Sequence, residues 1–155
     1  MALSSKQIAE FSREMGAWLL DVEAEAVAAL GSAGRNDRGE TRQSLFITPP
    51  RLSGSVLSGA VGASAPHAVY VHEGRRPGKR PPIAALKPWV ERKLGLAGQE
   101  AERVAFLTAR AIGRRGLRGT PFLREPAERL APTLPRRLAR AAERAAAAAF
   151  PPQTV

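Results

Sequence analysis

The chain has 155 residues, the size of one ordinary domain, and no cysteine, which excludes disulfides and thiolate metal sites. Its 24 Lys and Arg against 14 Asp and Glu leave a net charge of +10, which favours anionic neighbours such as nucleic acid or acidic protein surfaces. The plain alternative is a solvated basic surface from a composition biased toward Arg, Ala and Pro. Aromatics are only 5%, so the core must rest on Leu, Val, Ile and Ala.

Residues 4–30 read as an amphipathic helix. Ser4 and Gln7 have capping-box spacing, and Ile8, Phe11, Met15, Leu19, Val22, Ala26 and Leu30 recur every three or four residues. Gly16 inside this helix costs about 1 kcal/mol against Ala, and Gly31 is expected to end it. Residues 31–40 form a polar, Gly-containing loop, expected to be mobile. Three strands are expected next, joined as an antiparallel meander over 41–73. They are "TRQSLFIT" (41–48), stopped by Pro49-Pro50, then "SGSVLSGAVGAS" (53–64), and "HAVYVHE" (67–73) as the clearest of the three.

Beyond a basic loop at 74–81 the period becomes helical. Pro82 suits the first helical position, and Ile83, Leu86, Trp89 or Val90, and Leu94 follow. Pro88 is expected to kink or split this helix, and Gly95 to end it. A second helix over 99–115, burying Val104, Leu107, Ala111 and Ile112, stops at Gly116, and 117–123 is extended ahead of Pro121. A C-terminal helical region spans 126–150, interrupted by Pro126, Pro132 and Pro135, with Arg136, Arg140 and Arg144 on one stripe, before a frayed tail. The longest strongly apolar run, 145–150, is too short to span a bilayer, and no secretory leader is legible, so a soluble protein is expected. The fold class expected is α+β. A long N-terminal helix and a small antiparallel sheet of three to four strands pack with two or three further helices and a C-terminal helix, all in one domain over 1–155.

The stretch "APHAVYVHEGRRPGKRPP" (65–82) holds both histidines of the chain beside a glutamate, a tyrosine and four cations. On a strand its side chains alternate, so His67 and His72 face opposite ways, and His67 stands about 20 Å from Glu73. That geometry argues against a metal site, and two histidines without cysteine leave few ligands elsewhere. No nucleophile elbow, Walker loop or dinucleotide fingerprint is present, so a small hydrolase ranks behind the binding readings. Arg75, Arg76, Lys79 and Arg80, and likewise Arg114, Arg115 and Arg118, suit phosphate contacts, without any helix-turn-helix, zinc-finger or RNP-like pattern. The same arginines equally suit bidentate pairing with carboxylates of another subunit.

The order of three pieces, "APHAVYVHEGRRPGKRPP", "IAALKPWVERKLGL" and "VAFLTARAIGRRGLRGTPFLREPAERL", resembles a family of structural proteins of long-tailed phages, described as minor tail, neck or tail-completion proteins. In that family a strand reading roughly Tyr-Ala-x-Tyr-Val-Glu-x-Gly-Thr precedes a Pro-rich loop, a Trp-containing helix, a second helix and Gly-Thr-Pro-Phe-Leu. Tyr70, Val71, Glu73 and Gly74 match the first motif, Trp89 the helix, and residues 119–123 the last, with "ETRQSLFI" resembling the first strand. The likeness covers about residues 40–130; His67, His72 and Arg75 depart from the pattern.

The resemblance implies no catalysis and no cofactor. It implies a virion subunit, present in the host cytoplasm during assembly, forming a ring in the head–tail connection around the DNA channel, with sixfold preferred to twelvefold. Its implied partners are further copies of itself and the adjacent connector or stopper, tail-terminator or tail-tube proteins. DNA makes non-specific contact at most, and no membrane is involved. Tyr70, Glu73, Gly74, Arg75, Arg76, Lys79, Arg80, Trp89, Pro121 and Phe122 are the expected assembly-interface residues. Much of the positive charge is expected to meet acidic neighbouring subunits, because many phosphate contacts would trap a sliding duplex. Glu73 is expected to pair with an arginine, and Gly74 to take a positive φ. The alternative, from a different class, is a sequence-independent nucleic-acid-binding protein.

Overall fold

The structure is a computed structural model and describes residues 4–34 and 38–149. Residues 35–37 of the expected mobile loop, and the expected tail, lie outside the described residues. The first helix, α1 (Ser5–Ser32), starts as its sequence dictates. The Gln7 amide donates to the Ser4 hydroxyl (3.3 Å) and the Ser4 amide to the Gln7 side chain (2.8 Å), so two orphan amides are satisfied reciprocally. The helix runs past Gly31 and ends at Ala33. Its buried residues, Leu19, Val22, Ala26 and Leu30, are the C-terminal part of the apolar stripe.

One helical turn, α2 (Glu40–Gln43), replaces the start of the expected first strand. β1 (Leu45–Ser53) and β2 (Val56–Ala63) then form an antiparallel hairpin. β1 runs through Pro49-Pro50 instead of stopping there. The register steps from Thr48↔Ala60 to Arg51↔Ser58, so β1 has one more residue than its partner across the step. A bulge at that point suits prolines, which have no amide to give to the ladder. The hairpin lies on α1: the rings of Pro50 face Gly16, and Gly59 approaches Leu19 closely.

The expected strand at 67–73 is a helix, α3 (Ala68–Glu73). Burial decides it. Ala68 is buried and Val71 and His72 are partly buried, a spacing of three and four, while Val69 and Tyr70 are 56% and 58% exposed. The alternation of "AVYV" fits a strand equally well, but here the tertiary partners override β-propensity. Ala68 and Val71 pack into one cluster with Ala26, Leu30 and Phe122. The meander is therefore absent. The strands form two sheets of two: the hairpin, and a short antiparallel pair of β3 (Gly74–Arg75) and β4 (Leu117–Arg118). The fold is α+β.

α4 (Ile83–Leu94) is one helix with Pro88 inside it, neither split nor begun at Pro82, which is its N-cap. It ends at Gly95 in a left-handed conformation, and α5 (Gly98–Arg115) ends at Gly116. The two pack on each other around Val90, Ala101 and Ala105. The expected burial of α5 is corrected in part: Val104 and Ile112 are partly buried, but Leu107 is 49% exposed and Ala111 is exposed, and Ala101, Ala105 and Ala109 face inward. Alanines at i, i+4 and i+8 let a partner helix approach closely, and that close packing displaces the larger residues outward.

The C-terminal region is two helices, α6 (Arg124–Leu130) and α7 (Thr133–Ala149), parted near Pro132. Pro126 and Pro135 each sit in a first turn, where the missing amide has no helical partner to lose. α7 lies along α1, with Ala141 and Ala145 buried. The Trp18 indole donates to the Leu130 carbonyl (3.0 Å), tying the end of α6 to α1.

Candidate assembly surface

The residues that sequence singles out fall into three environments. Phe122 is corrected from interface to core: it is 1% exposed and packs with Ala26, Leu30 and Ala68. Pro121 beside it is half-buried. Tyr70 and Trp89 sit at the surface, 58% and 36% exposed. Trp89 lines a cavity of about 400 Å³ with Arg38, Glu40, Thr41, His67 and Arg92.

The histidines do not meet, for a different reason from strand alternation. His67 is the N-cap of α3, with Nε2 3.0 Å from the hydroxyl of the buried Thr41 and 4.0 Å from Glu40. His72 sits five residues later, over a third of a turn round the helix from His67. Its ring stands edge-on to Phe122 with centroids 5.1 Å apart, and its buried Nδ1 has no hydrogen-bond partner. Burial pushes the His72 imidazole below its ordinary pKa; Glu73 opposes that and Arg124 adds to it. The described residues hold no cluster of three or more His, Asp or Glu able to bind a metal.

Glu73 pairs with Arg124 of the same chain. Gly74 has φ 80°, ψ −162°, a region open to glycine almost alone, and a Cβ there would overlap the Leu117 carbonyl oxygen. This close approach lets β3 pair with β4. That pairing joins two basic segments far apart in sequence: the Gly78 amide donates to the Gly113 carbonyl (2.8 Å), and Gly113 has room only for a hydrogen against the Arg80 side chain. Within the loop the Arg75 guanidinium donates to the Lys79 carbonyl (2.9 Å), and Arg76, Lys79 and Arg80 are exposed.

Two further features escape the reading by elements. An acidic stripe on α1 meets the arginines of α6 and α7: Glu25 pairs with Arg129, Asp21 with Arg137, and Glu14 and Glu10 with Arg144. The spacing of positions 10, 14, 21 and 25 on one helical face is the signal that finds it. The second feature is an apolar cleft of about 580 Å³ bounded by Trp18 and Leu19 of α1, Ala60 and Val61 of β2, Val69 of α3 and Leu123. Phe46 and Val56 of the hairpin are 46% and 63% exposed, and among the described residues both strands pair only with each other.

No family profile, curated protein or solved structure matches the chain.

Proposed function

We propose that the protein is a non-enzymatic structural subunit of a phage or phage-like virion. It forms an oligomeric ring in the head–tail connection, as a neck or tail-completion protein around the DNA channel. The reading rests on the ordered resemblance over about residues 40–130, and one structural observation supports it. The β1–β2 hairpin is two-stranded, with unpaired edges and exposed Phe46 and Val56, beside an apolar cleft that a single copy leaves open. Open strand edges and apolar residues of this kind suit head-to-tail contact between identical subunits. The partners proposed are further copies of the chain and the proteins stacked above and below the ring.

Sedimentation velocity of the wild type and of the Phe46→Ser/Val56→Ser variant tests this. The wild type is expected to form one closed oligomer with rising concentration, and the variant to remain monomeric. A wild type that stays monomeric, or a variant that assembles as well as the wild type, contradicts the reading.

A further inference from the structure

From the pairing of β3 with β4 we infer that the loop 75–80 and the end of α5 form one sequence-independent binding surface for duplex nucleic-acid phosphates. The inference needs no ring; it rests on where charge is paired and where it is not. Arg13, Arg124, Arg129, Arg137 and Arg144 each have a carboxylate partner. Arg76, Lys79, Arg80, Arg114 and Arg115 are exposed, and no described residue pairs with any of them. The surrounding sequence has no acid to offer: residues 74–90 hold five cations and residues 103–124 six, with no Asp or Glu in either stretch. The ladder Gly74↔Arg118 and Arg75↔Leu117, with the Gly78–Gly113 hydrogen bond, holds the two stretches side by side. Prolines at 77, 81 and 82 stiffen the loop, so less conformational freedom is lost on binding.

The surface chemistry selects the partner. Protein interfaces centre on buried apolar or aromatic anchors. Among the described residues the large exposed apolar ones are Leu20, Phe46, Val56, Val69, Tyr70, Trp89, Leu94, Phe106 and Leu107, and none of them lies within the loop 75–80 or the stretch 114–118. Acidic subunits, the partner expected from sequence, therefore lack an anchor here. Single strands are held by base stacking on aromatic rings, and neither 75–80 nor 114–118 has one. What remains is cationic contact with a duplex backbone. Arginines in the last turn of α5 also complement the helix dipole, but Arg76, Lys79 and Arg80 lie on no helix. With about five contacts the binding is salt-labile.

Fluorescence anisotropy of a labelled random-sequence duplex, titrated from 50 to 200 mM salt, tests the inference. Five phosphate contacts predict a slope of log K against log salt of about −4.5, an affinity loss of roughly 500-fold over that range. The Arg76→Gln/Lys79→Gln/Arg80→Gln variant should retain two contacts and lose only about twelvefold over the same range. Arg114→Gln/Arg115→Gln should flatten the slope by about 1.8. Arg51→Gln/Arg136→Gln/Arg140→Gln removes the same charge elsewhere and should keep the wild-type slope. Thermal melts matching the wild type establish that each variant is folded. The inference is overturned if the wild type shows no salt-dependent binding, if the Arg51/Arg136/Arg140 variant weakens as much as the loop variant, or if poly-glutamate binds more tightly than the duplex.

Discussion

His72 gives the fold a pH dependence. Its imidazole is pushed down mainly by burial against Phe122, so the folded state prefers the neutral ring. The unfolded chain takes up that proton more readily, so stability is constant above the ordinary histidine range and falls as pH drops through it toward the lowered folded value. Melting curves from pH 7.5 to 5 should show the wild type losing more stability than His72→Gln; equal losses refute the assignment. Two glycines give opposite predictions. A methyl at Gly16 meets only the Pro50 ring at 3.9 Å, an ordinary contact, so Gly16→Ala should stabilise by about 0.5–1 kcal/mol in urea unfolding. Gly74→Ala should cost about 3 kcal/mol or more in the same measurement, because the new Cβ has both a forbidden backbone region and the Leu117 carbonyl against it.

Among the elements, those whose ends are set locally were legible in the sequence. The Ser4–Gln7 box, Gly95 and Gly116 each act through a few neighbouring residues, and α1, α4 and α5 start or stop near them. α3 was not legible, because six residues of "AVYVHE" satisfy both periods and the deciding partner, Phe122, lies some fifty residues on. The bulge at Pro49-Pro50 needed a partner strand, which the β1 sequence does not name. α7 docks through two buried alanines and the pairs Arg137–Asp21 and Arg144–Glu14. Partly exposed pairs are worth about 0.2–1 kcal/mol and are screened by salt. Arg137→Gln/Arg144→Gln should therefore lower stability modestly at low ionic strength and by almost nothing in 1 M NaCl, whereas Ala141→Leu should cost about 1–3 kcal/mol at either. A salt-independent loss in the arginine variant contradicts the ionic account of this contact.

On the scale of the whole molecule, charge and apolar surface occupy different places. α1, α6, α7 and the hairpin form one packed group in which Arg129, Arg137 and Arg144 are matched to acids of α1, while α4 packs chiefly on α5. The β3–β4 pair lies between them in the chain's course and brings the two basic segments together. Sequence identified both basic segments separately; only the ladder between residues 42 and 44 positions apart makes them one surface. Burial of Phe122 was equally hidden, since it depends on α3 packing as a helix. The measurement that tests the central claim most directly is electron microscopy of the purified chain at assembling concentration. The account predicts closed, open-centred rings of a single stoichiometry, six copies in preference to twelve. Particles that remain single copies, or open filaments of no fixed number, would contradict it.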